Sequence, residues 1–130
     1  MINHIGTVSI FVSDQQRAKA FYTEKLGMEL ITEQPVYPGA STLWLSVKPK
    51  GAQTELILYL ADQNWQHYAA IVGKSQAVTL DVSDIDALVA DLKAKGVEFL
   101  GEVDHQPWGS SVFLRDSEGN SILLVEQPKR

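Results

Sequence analysis

The feature that most constrains this fold is an internal echo. Val12-Ser13-Asp14 recurs as Val82-Ser83-Asp84, 70 residues on (84 − 14). The surroundings recur with it. Val8, Ile10 and Val12 alternate with Thr7, Ser9 and Phe11, as a strand with one apolar face requires. Ser13-Asp14 then offers a helix N-cap. Ala18, Phe21, Tyr22 and Leu26 follow at helical spacing, so a helix is expected from Gln15 to Leu26, ended by Gly27. In the second copy Val78, Leu80 and Val82 alternate with Ala77, Thr79 and Asp81. Asp84 caps a helix with the stripe Ile85, Leu88, Val89 and Leu92, and Gly96 ends it.

Each copy continues in the same order. The first reads as a strand over Met28 to Thr32, breaks at Gln34-Pro35 and Tyr37-Pro38-Gly39, and strands over Thr42 to Val47 and Glu55 to Leu60. The second reads as a strand over Val97 to Val103, a break at Gln106-Pro107-Trp108-Gly109, and a closing hairpin. In that hairpin the β-formers Val112-Phe113-Leu114 and Ile122-Leu123-Leu124-Val125 flank the turn residues Arg115-Asp116-Ser117-Glu118-Gly119-Asn120. The period is too long for a solenoid.

The expected fold is therefore α+β. Two tandem βαβββ modules would form a curled eight-stranded mixed sheet around a cleft, each sheet face under its own helix. At 130 residues the chain is read as one domain. Module 1 spans about 1–61, a linker about 62–75 and module 2 about 76–130. Trp65, His67 and Tyr68 in the linker are read as packing residues, with a lid as the alternative.

The formal net charge of −5 and the lack of a Lys/Arg cluster argue against nucleic acid as a partner. With no cysteine, thiolate nucleophiles and Cys-ligated zinc are excluded. No apolar run reaches membrane-spanning length and the N-terminus lacks signal-peptide character, so a cytoplasmic protein with no membrane partner is expected. No phosphate-binding glycine loop and no G-x-S-x-G elbow is present. His4, His67 and His105 show no ligand spacing and are read as surface or rim residues. Asp14 and Asp84 are read as caps and Asp116 as a turn former. Asp81 is a candidate general base, but a rim position or a partner for Arg115 is the preferred reading.

Val12-Ser13-Asp14 with Ala20-Phe21-Tyr22-Thr23-Glu24-Lys25-Leu26-Gly27 resembles the first-half signature of the vicinal oxygen chelate superfamily. Asp84 to Gly96 and Phe113-Leu114-Arg115-Asp116-Ser117-Glu118-Gly119-Asn120 resemble its second half. That superfamily includes glyoxalase I, extradiol dioxygenases and bleomycin-resistance proteins. Gln106-Pro107-Trp108-Gly109 ahead of Phe113 is similar to a segment of the bleomycin-resistance branch, which binds a drug without transforming it. The resemblance implies a homodimer. It also implies four cleft positions that hold a divalent metal in the catalytic members. These fall on Thr7, Ala77, Leu123 and a position near Glu55 or Ile57. Ala and Leu offer no ligand atom, so no metal and no cofactor is expected.

Aromatic residues are the stronger lead. By alternation Phe11 and Tyr59 share faces with Thr7 and Glu55, and Phe113 and Arg115 share one with Ser111. An apolar cleft with a few polar groups suits an apolar or planar small molecule. Thr7, Glu55, Tyr59, Trp108, Phe113 and Arg115 are the candidate ligand-binding residues. The expected function is sequestration of an antibiotic or metabolite. The alternatives are a glyoxalase-like lyase, isomerase or dioxygenase with an atypical metal or none, and a protein that mainly assembles with another chain.

Overall fold

The computed structural model describes residues 1–60, 70, 72–74 and 78–128. The linker residues Trp65, His67 and Tyr68, and Ala77, lie outside them. Two compact units, Met1–Gly73 and Lys74–Arg130, each hold one module.

The first unit runs β1 (Thr7–Val12), α1 (Gln15–Ala20), a π-helical turn (Phe21–Lys25), β2 (Glu29–Pro35), β3 (Leu43–Lys48) and β4 (Glu55–Leu60). The sheet order is β1-β4-β3-β2, with β1 parallel to β4 and the other pairs antiparallel. Asp14 caps α1 by accepting the Arg17 N–H at 3.0 Å. The helix expected as one α segment to Leu26 changes pitch at Phe21, where the Leu26 N–H reaches back five residues to the Phe21 carbonyl at 3.1 Å. The wider turn lets the neighbours Phe21 and Tyr22 both reach the core beside Ala18. β2 runs on through Gln34-Pro35, where a break was expected. Pro35 is tolerated because it ends an edge strand, where no ladder N–H is needed.

One face of this sheet lies under the helix. Ile10, Val12, Leu45, Val47, Leu56 and Leu58 are buried there with Ala18, Phe21 and Tyr22. Gln15, itself buried, pins the start of α1 to two strands. Its amide N–H donates to the carbonyls of Leu43 (2.9 Å) and Leu58 (2.8 Å), and its oxygen accepts the Leu43 N–H at 3.1 Å.

The second unit runs β5 (Val78–Asp81), α2 (Ile85–Ala94), β6 (Asp104–Gln106), β7 (Gly109–Arg115) and β8 (Ser121–Glu126), in sheet order β5-β8-β7-β6. Asp84 caps α2 through the Ala87 N–H at 3.4 Å, from a left-handed φ of 49°. Ile85, Val89, Leu92, Val112, Leu114, Ile122 and Leu124 form the core.

One strand is displaced from its expected place. Val97 to Val103 makes only a bridge from Phe99 to Leu114. Gly101, at φ 146°, interrupts the extended run there. The strand forms instead at Asp104–Gln106, partly in the residues expected to break it, and Pro107-Trp108 is the two-residue turn to β7. The β7–β8 hairpin forms as expected. Asp116 organises its turn by accepting the N–H groups of Glu118 and Asn120, and Gly119 sits at φ 88°.

The fold is α+β, and each unit realises the βαβββ plan. Among the described residues eight strands are hydrogen-bonded as two four-stranded mixed sheets, one per unit. Among the described residues no helix is long and apolar enough to cross a membrane.

Candidate functional site

The face of the first sheet opposite α1 is laid out in three rows. β1 and β4 are paired in register, so Thr7 lies beside Glu55, Ser9 beside Ile57 and Phe11 beside Tyr59. β3 adds Ser46 opposite Ile57, and continuing that register puts Trp44 opposite Tyr59. Phe11, Tyr59 and Trp44 form a chain of edge-on rings, with centroids 6.0 Å and 6.2 Å apart. Edge-on contacts of this kind are favourable because ring edges and faces carry opposite partial charge. Trp44 is 38% exposed, and Phe11 and Tyr59 are half-buried.

The other end of the face is polar. Ser46 Oγ donates to Glu55 Oε1 at 2.7 Å, and Thr7 is exposed beside Glu55. Ser46 is fully buried while Glu55 is half-buried, so the carboxylate is oriented from below. Lys48 shares this face by alternation, yet its ammonium donates to the Ala52 carbonyl at 2.8 Å. Thr7, Glu55 and Tyr59 are thus brought onto one face, as alternation implied. Ser46 and the junction of Trp44 with Tyr59 were not anticipated. Both follow from the β3–β4 register, which a single strand's pattern does not contain.

The remaining candidates lie in the second unit. Phe113 and Arg115 share a face of β7 with Ser111, as expected, and Phe113 pairs with Leu123. Arg115 donates to the Gly119 carbonyl at 2.8 Å and so braces the hairpin turn. Asp81 does not partner Arg115. It accepts from Gln127 Nε2 at 3.2 Å, because its strand neighbour Val125 lies opposite Ser111, at the other end of β7. Trp108 stands in the β6–β7 turn and is 75% exposed.

His4 is exposed. His105 lies on the helix side of the second sheet, with Nδ1 2.9 Å from Ser110 Oγ and Nε2 3.1 Å from Asp86 Oδ1. His67 lies outside the described residues. Among the described residues no three His, Asp or Glu side chains gather as a metal-ligand group would. The ladders also bear on the choice between Glu55 and Ile57. Ser9 pairs with Ile57, and Thr79, 70 residues on (79 − 9), pairs with Leu123. The first-module counterpart of Leu123 is therefore Ile57, and Glu55 lies one pleat away.

Residues 2–124 match the family model of the glyoxalase/bleomycin resistance protein/dioxygenase superfamily. The chain belongs to this superfamily. Among its relatives, the uncharacterized protein YetH of Bacillus subtilis (strain 168) is 41% identical over 97% of this chain and 100% of its own. Among solved structures, TnmS3, an antibiotic binding protein from Streptomyces sp. CB03234, is 36% identical, with a TM-score of 0.82 over 97% of both chains. A superfamily member from Sphaerobacter thermophilus DSM 20745 is 30% identical, with a TM-score of 0.79 over 97% of this chain and 98% of that one.

Proposed function

We propose that this protein is a cytoplasmic, homodimeric small-molecule-binding protein that sequesters an antibiotic or metabolite without a metal. The observation that carries this reading is the chain of contacting rings Phe11, Tyr59 and Trp44, with the Ser46-bound carboxylate of Glu55 farther along the same face. Three contacting rings, each edge-on to the next, offer apolar edges and faces for a ligand to pack against, and polar groups on the same face can fix its direction. The likeness to an antibiotic binding protein over nearly the whole chain supports it. Scaffold likeness alone does not assign an activity, whereas the aromatic face is a feature of this chain itself.

Superfamily catalysis needs several N or O ligands meeting at one point. The corresponding positions here carry Thr7, Ala77, Leu123 and Ile57, or Glu55 one pleat away. This donor set does not fit a divalent ion. Binding then works by mass action, lowering free ligand with no bond changed.

The test is a fluorescence titration of the metal-stripped protein with planar antibiotics, using quinizarin as an uncharged planar reference. Tight binding, unaltered by chelator and with the ligand recovered intact, is the expected result. Tyr59→Ala should weaken it about tenfold, as removal of a central aromatic anchor does. Chemical conversion of the ligand, or binding that requires added Zn, Ni, Fe or Mn, would sink the reading. Trp108→Ala, Phe113→Ala and Arg115→Ala test the second-unit candidates separately, and sedimentation tests the dimer.

A further inference from the structure

We infer a further site on the helix side of the second sheet, where Ser110 is a nucleophile that takes a small acyl group from an activated ester. His105 is its general base and Asp86 positions His105. The register of β6 on β7 sets His105 directly opposite Ser110. Opposed residues on one face are close enough for their side chains to touch. His105 Nδ1 lies 2.9 Å from Ser110 Oγ, and Nε2 lies 3.1 Å from Oδ1 of Asp86, in the first turn of α2. Two strands and a helix thus supply one hydrogen-bonded chain of three side chains.

The direction of each bond follows from the groups involved. An ionised carboxylate only accepts, so His105 Nε2 carries a proton and donates to Asp86. In the neutral ring Nδ1 then holds the lone pair and accepts the Ser110 hydroxyl proton. A hydroxyl aimed at a base, with that base oriented by a third group, is the arrangement that activates a serine. The N-terminal end of the α2 dipole favours the negative charge on Asp86. Glu126, opposite Ser110 on β8, accepts the Ile85 N–H at 2.9 Å and so is directed to the helix end.

Exposure limits the substrate. The side chains of His105 and Asp86 are 55% and 66% exposed, so the imidazole exchanges protons with water. Ser110 is 9% exposed, so the acyl group it takes must be short. In the step, Oγ bonds to the ester's carbonyl carbon while its proton passes to Nδ1. The bond from that carbon to the leaving oxygen breaks, and the oxygen departs with the electron pair. The imidazolium returns its proton to solvent, leaving an O-acyl serine. Ser111, Phe113 and Arg115 project from the other face of β7, so this chemistry is separate from the proposed ligand face.

The test uses p-nitrophenyl acetate, with the acetylated residue located by peptide mass spectrometry over time. Ser110 should take up one acetyl group in the wild type and in Ser111→Ala. Its rate should rise with pH and level off as the imidazole loses its proton. His105→Gln should slow acetylation of Ser110 about a hundredfold and remove that rise. Asp86→Asn should slow it about tenfold and move the rise to lower pH, because the imidazolium loses its neighbouring negative charge. p-Nitrophenyl hexanoate should acylate Ser110 more slowly than the acetate. Acetyl groups on lysines or the N-terminus with none on Ser110 would overturn the assignment, leaving the three side chains as a brace between α2 and the β6–β7 hairpin. Acetylation of Ser110 that His105→Gln leaves unchanged would overturn it too, and hexanoate reacting as fast as acetate would overturn the size limit. Should His105→Gln fold poorly, the wild-type mapping and its pH profile decide.

Discussion

Position by position, the helix-covered faces of the two modules carry matching residues. Leu45 answers Val112, Val47 answers Leu114, Leu56 answers Ile122 and Leu58 answers Leu124, and all eight are buried. On the opposite faces the counterparts diverge. The aromatic row Phe11, Tyr59 and Trp44 of the first module corresponds by register to Asp81, Val125 and Ser111 in the second. Buried Ser46 corresponds to Phe113, which is 42% exposed. The covered face must be apolar in both copies because each helix needs a core beneath it. The other face is free of that demand, so its chemistry can differ between the copies.

The comparison is broken or sharpened first by its largest effects. Leu58→Ala and Leu124→Ala should each cost about 2–5 kcal/mol, since both remove a buried side chain and leave a cavity. Urea unfolding that shows one near zero and the other large would mean the faces are not equivalent. The ties between helix and sheet differ more. Gln15→Ala strands the Leu43 N–H and two carbonyls and should cost about 1–3 kcal/mol. Glu126→Ala removes one bond, from the Ile85 N–H to Oε1, and should cost about 1 kcal/mol.

The caps give smaller effects of opposite sign. Asp14→Gly should lose a few tenths of a kcal/mol. Asp84→Gly should be neutral or stabilising, because glycine relieves the left-handed φ of 49°. Thermal midpoints of the two variants decide it.

A further effect is pH-dependent. Hydrogen bonds from Lys19, then Gln16, hold the Glu33 carboxyl below its ordinary range, and burial opposes them only in part. A depressed carboxyl adds stability that is present above its unfolded value and lost as pH falls through the folded one. Glu33→Gln should therefore cost at most about 1 kcal/mol near neutral pH, with the gap to wild type closing in acid. A gap that stays constant down to acid pH would show that the Lys19–Glu33 pair contributes nothing.

The elements legible in the sequence were those with a local cause. Asp14 and Asp84 cap, Gly27 and Gly96 stop helices, and the Asp116–Asn120 turn closes its hairpin. The errors had non-local causes. Extended residues 97–103 found no continuous partner beyond the Phe99 bridge, while Asp104–Gln106 did. Pro35 stayed in a strand because that strand is an edge.

Within the candidate site, alternation along β1 and β4 already put Thr7 with Phe11 and Glu55 with Tyr59 on common faces, because side chains in a strand repeat every two residues. Which rows meet across strands is a matter of register, and register is settled by hydrogen bonds between segments far apart in the chain. Only the folded structure therefore brought Trp44 to Tyr59 and Ser46 to Glu55, and made Ile57 rather than Glu55 the first-module counterpart of Leu123.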